Sequence, residues 1–212
     1  MGTFTYLHKK RLINAPNPKG FWGRKTLKSM NNDHSILTDW GISMFDLPEN
    51  PVCLDVGCGG GLTVKKLSAL TSNIVYGVDI SDEAISLTKR LNKKDVLRGK
   101  VVLIKSDVKD IDLPNGSVDI ITAVETFYFW QDKEKCLKKI YELLKPNGQF
   151  VIMLDAYDDG DIKGMQRIVD FIDMELNTIE QFYTMLAKAG FADVVHATNG
   201  KKICIKATMK QE

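Results

Sequence analysis

The sequence predicts an α/β fold: a doubly wound, mostly parallel seven-stranded sheet with a C-terminal antiparallel hairpin and an N-terminal helical extension. Short apolar runs alternate with helical patterns through residues 52–154, which is typical of parallel strands joined by crossover helices. A glycine-rich turn follows the first apolar run. Near the end of the chain, Asn199-Gly200 separates two strand-like segments, a strong signal for a β-hairpin.

The length and charge of the chain limit its class. Its 212 residues are enough for one domain with a large core. We divide them into a helical extension or lid at residues 1–45 and an α/β domain at residues 46–212. The net charge of +2 gives no electrostatic reason to expect nucleic-acid binding. Neither a secretory signal nor an apolar run long enough for a membrane span is visible, so we expect a cytoplasmic location.

The cysteines do not indicate a metal site. Cys53, Cys58, Cys136 and Cys204 lack the paired spacing of a structural zinc site, and three of them lie in apolar runs. Reduced, buried thiols are the expected state there. The sequence therefore predicts no metal. The oligomeric state stays open, with a homodimer among the alternatives.

The N-terminal extension has a helical pattern only in its second half. Residues 1 to about 21 show no clear period, whereas apolar side chains recur at three- and four-residue steps from Arg24 to about Phe45. Gly41 weakens the case for one continuous helix. This segment either closes over a bound ligand or covers one face of the sheet. His34 lies beside the apolar stripe, which favours a core or surface role, although a catalytic role stays open.

The elements of the α/β domain follow in order from the periodicity. Strands are predicted at residues 52–56, 73–79, 101–105, 118–124, 149–154, 191–197 and 202–207. Helices are predicted at about residues 62–70, 81–92, 133–144, 163–175 and 178–190. Ser81 and Thr178 are the predicted N-caps of two of these helices.

The glycine turn selects between cofactor classes. Glycine allows positive φ and lets a ligand approach bare main chain. The dinucleotide fingerprint G-x-G-x-x-G fails in both registers, because Leu62 or Val64 occupies the place of its third glycine. The P-loop pattern also fails, since no Gly-Lys-Ser/Thr follows. NAD, FAD and nucleoside triphosphates are therefore disfavoured.

Acidic residues end several of the predicted strands. Asp79 ends the second strand about 20 residues past the glycines, where doubly wound folds place a carboxylate that binds ribose. Asp55, Glu125 and Asp155 end the first, fourth and fifth strands, and Asp107 follows the third. Because these strand ends meet at one edge of the sheet, the acids are expected to gather there.

Residues 50–208 resemble the Rossmann-like class I S-adenosylmethionine-dependent methyltransferases, in particular the broad small-molecule subgroup. The resemblance rests on Asp55-Val56-Gly57-Cys58-Gly59, Asp79, Asp107-Val108, and the segments 118–121 and 143–150. It implies S-adenosyl-L-methionine as the cofactor and methyl transfer to an O, N or C nucleophile of a small molecule. The cofactor-binding residues that it implies are Asp55, Gly57, Cys58, Gly59, Asp79, Ile80, Asp107, Val108 and Glu125.

The acceptor side has few candidate residues. A methyl sulfonium is already activated, so catalysis requires mainly that the acceptor be held in line. A general base is needed only if the nucleophile loses a proton. Glu125, Tyr128 and His34 are the candidates to line this side or act as base. Two alternatives stay open: an S-adenosylmethionine-binding regulatory module without chemistry, and an NAD(P)-dependent oxidoreductase.

Overall fold

The computed structural model describes residues 6–210, apart from the side chains of residues 6–8 and 11. The predicted extension thus lies within the described residues from its sixth residue onward. The strands are β1 (Cys53–Val56), β2 (Val75–Asp79), β3 (Val101–Lys105), β4 (Val118–Val124), β5 (Leu144–Leu154), β6 (Phe191–Asn199) and β7 (Lys202–Met209). They form a seven-stranded sheet in the order β3-β2-β1-β4-β5-β7-β6. Strands β1 to β5 are parallel, whereas β7 runs antiparallel to β5 and to β6. The predicted fold class is confirmed.

In the described part of the chain, three helices come before the first strand, and the others lie between the strands. The helices are α1 (Tyr6–Ile13), α2 (Gly20–Asp33), α3 (Ser35–Ile42), α4 (Leu62–Leu70), α5 (Asp82–Leu91), α6 (Lys93–Leu97), α7 (Lys133–Leu143), α8 (Gln166–Ile172) and α9 (Ile179–Lys188). Both predicted N-caps are present: the Ser81 hydroxyl accepts a hydrogen bond from Ala84 N, and Thr178 forms a capping box with Gln181. Within residues 6–210, no helix is both long and apolar enough to cross a membrane.

The N-terminal extension differs from its prediction in two ways. A helix, α1, forms in residues that showed no period, where it packs against α2 and α8. The predicted continuous helix is two helices, and the break falls at His34, where φ is −93° and ψ is 1°. Gly41 lies inside α3, and a Cβ there would overlap the Met153 side chain of β5. This glycine therefore allows a close approach of helix to sheet.

Three smaller differences concern element lengths. Strand β5 begins at Leu144, which pairs with Val118 before a register shift, and not at residue 149. Helix α6 follows α5 closely and was not predicted as a separate helix. Helix α8 is shorter than predicted. It is followed by Asp173, which caps its C-terminus in a left-handed conformation with φ of 51°.

The central strands are buried on both faces, as a parallel sheet with two helical layers requires. Val151 and Met153 of β5 pack on one face with Leu37 of α3. Phe150 and Ile152 point to the other face, into the cluster that contains Phe127, Leu137 and Phe182. The strand order reverses between β1 and β4, and in such sheets ligands bind beyond the carboxyl ends of the strands at this point.

Candidate active site

The glycine turn between β1 and α4 needs glycine for backbone reasons. Gly57, Gly59 and Gly61 have φ of 70°, 50° and 83°, in the left-handed region. Gly57 N and Cys58 N both donate to Val78 O of β2, at 2.8 and 2.9 Å, which fixes the start of the turn. A Cβ on Gly57 would also overlap the Thr126 side chain. The turn is thus held tightly between β2 and the segment after β4.

Asp79 connects the end of β2 to the glycine turn. Its Oδ2 accepts a hydrogen bond from Gly59 N, and its Oδ1 accepts one from Ser81 N, both at 2.9 Å. Burial raises the pKa of the carboxyl above its ordinary value, while these backbone hydrogen bonds lower it. Each oxygen keeps a further lone pair that could accept from a ligand.

A cavity of about 160 Å³ opens at this edge of the sheet. Seven of the predicted cofactor-binding residues line it: Gly57, Gly59, Asp79, Ile80, Asp107, Val108 and Glu125. Cys58 lines an adjoining smaller cavity together with His34 and Thr38. The turn, the ends of β2 and β4 and the segment after β3 therefore meet around one space.

Asp55 is placed differently from the other predicted residues. It lies within β1, is 1% exposed, and its Oδ1 accepts a 2.7 Å hydrogen bond from the Thr122 hydroxyl of β4. Burial raises the pKa of Asp55 to about 7, with a smaller upward contribution from the charge of Asp79 and a lowering by the Thr122 bond. Asp55 is thus buried in the sheet, where it joins β1 to β4, and it does not line the cavity.

The segment after β4 forms the opposite wall. Phe129 and Trp130 line the cavity, together with Thr126 and Gln131. Trp130 is 7% exposed, and its indole Nε1 has no hydrogen-bond partner among residues 6–210. A buried donor without a partner is costly, so a ligand acceptor at this position would satisfy it.

The predicted acceptor-side residues come together beyond Glu125. This residue has φ of 55°, an uncommon conformation for a side chain larger than glycine. Its Oε1 accepts hydrogen bonds from the Tyr128 hydroxyl, at 2.5 Å, and from Asp155 N. His34 Nε2 lies 3.7 Å from Glu125 Oε2 and 4.0 Å from Asp155 Oδ2.

Electrostatics distinguish Glu125 within this group. Burial, together with the nearby Asp155 carboxylate, raises its pKa to about 7, against the lowering effect of the Tyr128 hydrogen bond. Burial and the Glu125 charge also raise the pKa of Tyr128 well above its ordinary value. Tyr128 is therefore a neutral hydrogen-bond donor to Glu125 at neutral pH.

Helix α2 forms part of the cavity wall. Leu27 and Met30 line the cavity, as do Pro16 and Pro18 from the preceding loop. The helix is attached to the α/β domain by Arg24, whose Nη1 lies 2.9 Å from Glu83 Oε2 of α5. Trp22, in contrast, contacts Phe21 and Lys25 on the outer side of α2.

Sequence reasoning missed several lining residues. The lining residues that were not among the predicted site residues include Pro16, Pro18, Thr126, Phe129 and Trp130. The position of Trp130 in the short segment that follows the strand-end acid Glu125 was the available signal. No local pattern pointed to the two prolines, because the chain reaches the cavity through tertiary packing of α2.

Comparisons with known proteins agree with this geometry. A family model described as "Methyltransferase domain" matches residues 54–152. The sterol 24-C-methyltransferase of Pneumocystis carinii is 30% identical over 175 residues, which cover 78% of this chain and 45% of that protein. The uncharacterized methyltransferase YdaC of Bacillus subtilis is 26% identical over 174 residues, covering 76% of this chain and 94% of YdaC. The chain spans less than half the length of the sterol methyltransferases it matches.

Solved structures share the fold. The phosphoethanolamine N-methyltransferase 2 of Haemonchus contortus, determined in complex with S-adenosyl-L-methionine, superposes with a TM-score of 0.80 and 13% identity. The match covers 99% of this chain and 61% of that one. The motifs around the glycine turn, the strand order and the matched family model lead to one assignment. Residues 54–152 match a methyltransferase domain, and the chain has the fold of the S-adenosylmethionine-dependent methyltransferases.

Proposed function

We propose that this chain binds S-adenosyl-L-methionine in the cavity at the β1–β4 reversal and transfers its methyl group to a small-molecule acceptor. The observation that carries the proposal is the junction of Gly59 and Asp79, which joins the glycine turn to the strand-end carboxylate at the cavity wall. The sterol and phosphoethanolamine substrates named for the relatives are small molecules, which supports the same class of acceptor here.

The residues present fit this cofactor. Asp79 has lone pairs available for the two hydroxyls of a ribose, and Asp107 lies further along the same wall. Trp130 Nε1 offers a buried donor that lacks a partner among the described residues. The carboxylates around the cavity suit a ligand with a sulfonium and an ammonium group. When bound, S-adenosyl-L-methionine supplies a methyl group that is already activated for transfer.

The residues around the cavity position the two reactants and exclude water from them. Leu27 and Met30 of α2 exclude water from the cavity side that faces Gly59. Glu125, fixed by Tyr128 and by Asp155 N, presents its Oε2 toward His34. We assign Glu125, Tyr128 and His34 to the acceptor side, where Glu125 or His34 accepts a proton if the nucleophile must lose one. An acceptor that needs no deprotonation would use them only for orientation.

Ligand-induced stabilisation tests the cofactor assignment. S-adenosyl-L-methionine and NADH are each added to the purified chain, and the melting temperature is measured. We expect stabilisation by S-adenosyl-L-methionine alone. Stabilisation by NADH alone would favour the oxidoreductase alternative and contradict the proposal.

The Asp79→Asn variant tests the carboxylate. It keeps the size of the side chain and one acceptor oxygen, and it removes the charge. Because one acceptor is lost, one charge-assisted hydrogen bond of about 1.5–3 kcal/mol disappears, which should weaken cofactor binding by about ten- to a hundredfold in calorimetry. Asp82→Asn is the matched control, since that carboxylate is exposed and pairs with Lys105. Equal affinity in wild type and Asp79→Asn would contradict the assignment.

Turnover separates an enzyme from a binding module. The chain is incubated with a metabolite extract and S-adenosyl-L-methionine labelled on the methyl group, and labelled products are identified. Tight cofactor binding without a labelled product would favour the regulatory alternative. With an acceptor identified, Glu125→Gln, Tyr128→Phe and His34→Ala should each lower kcat. The cofactor Kd should stay nearly unchanged in Tyr128→Phe and His34→Ala, whose side chains do not line the larger cavity. Full activity in all three would remove these residues from the chemistry.

A further inference from the structure

His34, Glu125 and Asp155 form a cluster that neither the cofactor nor the glycine turn explains. The three residues come from separate parts of the fold: the α2–α3 break, the end of β4 and the end of β5. One ligand atom of each lies within 4.8 Å of the other two. All three side chains are only partly exposed.

The distances within the cluster are too long for direct hydrogen bonds and short enough to share one small ion. His34 Nε2 is 3.7 Å from Glu125 Oε2 and 4.0 Å from Asp155 Oδ2. Ligand atoms of one divalent cation lie about 2.0–2.5 Å from the metal, and consequently about 3–4.5 Å from one another. The observed separations fall within this range.

The surroundings fix the unused oxygen of each carboxylate. Glu125 Oε1 is occupied by the Tyr128 hydroxyl and Asp155 N, which turns Oε2 toward His34. Asp155 Oδ1 pairs with Lys202 Nζ at 2.8 Å, while Oδ2 is the oxygen nearest His34. Such outer contacts orient metal ligands in known sites.

From this geometry we infer that His34 Nε2, Glu125 Oε2 and Asp155 Oδ2 bind one divalent metal ion. One imidazole and two carboxylates favour a cation that accepts mixed nitrogen and oxygen ligands, such as Mn²⁺, over one that prefers thiolates. The ion would also offset the repulsion between two carboxylates that lie close together. Lys202 opposes this by its own charge, and its ammonium is directed to the oxygen that does not face the cluster.

The site adjoins the cavities, since Glu125 lines the larger one and His34 the smaller. A metal ion there would offer open coordination positions to an oxygen-bearing acceptor. This consequence rests on the proposed function, whereas metal binding itself does not. The test therefore measures binding without any acceptor.

The experiment uses the chelator-treated full chain and Mn²⁺ as the probe. Titration followed by electron paramagnetic resonance of free Mn²⁺ should give one specific site per chain, and pulsed measurements should show nitrogen coupling from one imidazole. Asp155→Asn should weaken this site at least about tenfold, and His34→Ala should abolish the nitrogen coupling. Asp159→Asn is the matched control, because it removes one carboxylate from the adjacent loop without touching the cluster.

The outcomes separate a metal site from an ion pair. If Mn²⁺ shows no specific site, or if Asp155→Asn and Asp159→Asn weaken it equally, the cluster is only an ion pair of His34 with two carboxylates. Nitrogen coupling that persists in His34→Ala would also overturn the inference. Affinity for S-adenosyl-L-methionine, measured on the same samples, shows whether each variant is folded and whether the proposed function stands independently.

Discussion

Gly59 and Gly61 provide a direct test of the difference between a binding glycine and a structural one. Both have positive φ, of 50° and 83°, and both belong to the same turn. A Cβ on Gly59 would meet Leu27 Cδ2 at 3.6 Å and Gly57 O at 3.8 Å, which are ordinary van der Waals distances. A Cβ on Gly61 would come within 2.7 Å of Thr88 Cα, a backbone atom of α5 that cannot move away.

The expected stability losses follow from these contacts. An alanine with left-handed φ costs about 1–2 kcal/mol, of which about 0.4–1 kcal/mol is offset by lower entropy of the unfolded chain. Gly59→Ala should therefore lower the free energy of unfolding by about 1 kcal/mol. Gly61→Ala adds an overlap that costs a further 1–3 kcal/mol or so, for a total of about 3 kcal/mol. For a chain of this size these losses correspond to melting-temperature decreases of about 2–4 °C and 6–12 °C.

Cofactor affinity should respond in the opposite order. The new methyl group of Gly59→Ala lies inside the cavity, where we expect it to raise the Kd for S-adenosyl-L-methionine at least about tenfold, equivalent to 1.4 kcal/mol. Gly61→Ala, studied below its melting temperature, should bind within a few-fold of wild type. Differential scanning calorimetry and isothermal titration give the two quantities. Unchanged affinity in a folded Gly59→Ala variant would show that the bound ligand does not contact the Cα of Gly59.

Three further predictions concern pH, the cover of the cavity and its wall. The pKa of Asp55 in the folded chain is raised to about 7. Between about pH 4 and 7 the folded chain keeps this proton and the unfolded chain loses it, so the free energy of unfolding falls as the pH rises. Asp55→Asn should remove up to about 4 kcal/mol of that fall. Denaturant titrations of the variant and of wild type across this pH range measure the difference, and parallel curves of unfolding free energy against pH would contradict the prediction. Arg24→Ala breaks the pair with Glu83, which should change the free energy of unfolding by about 1 kcal/mol or less. Cofactor affinity should nevertheless fall several-fold, whereas the control Lys28→Ala on the same helix should leave it unchanged. Trp130→Phe keeps a ring but removes the unpartnered indole donor, so calorimetry should show weaker cofactor binding, and equal affinity would mean that no ligand acceptor reaches Nε1.

The parts of the structure that could be predicted from the sequence are those with local signals. Apolar runs bounded by glycines and acids gave β1 to β4, and Asn199-Gly200 gave the terminal hairpin. Because parallel strands end at one edge, the same signals placed Asp79 and Asp107 around one cavity. Cofactor-side residues are predictable for this reason: each lies next to a recognisable strand.

The acceptor side depends on contacts that no local pattern records. His34 meets Glu125 and Asp155 only because α2 ends where it does and α3 packs on β5. Gly41 weakened the prediction of one continuous helix, since glycine is a poor helix former, but Gly41 lies inside α3 against Met153 and the break falls at His34. Tertiary contact overrides propensity here, and it also decides which side chain faces the site.

The break at His34 divides the N-terminal segment into one helix beside the cavity and another on the sheet. Helix α2 borders the cavity through Leu27 and Met30, while Leu37 of α3 covers Val151 and Met153 of the sheet. Removing residues 1–45 would therefore expose a buried sheet face and delete His34 at the same time. Inactivity of such a truncated chain would not distinguish a lid from a structural cover. Arg24→Ala separates the two, because it loosens α2 from α5 and leaves the packing of α3 on β5 intact.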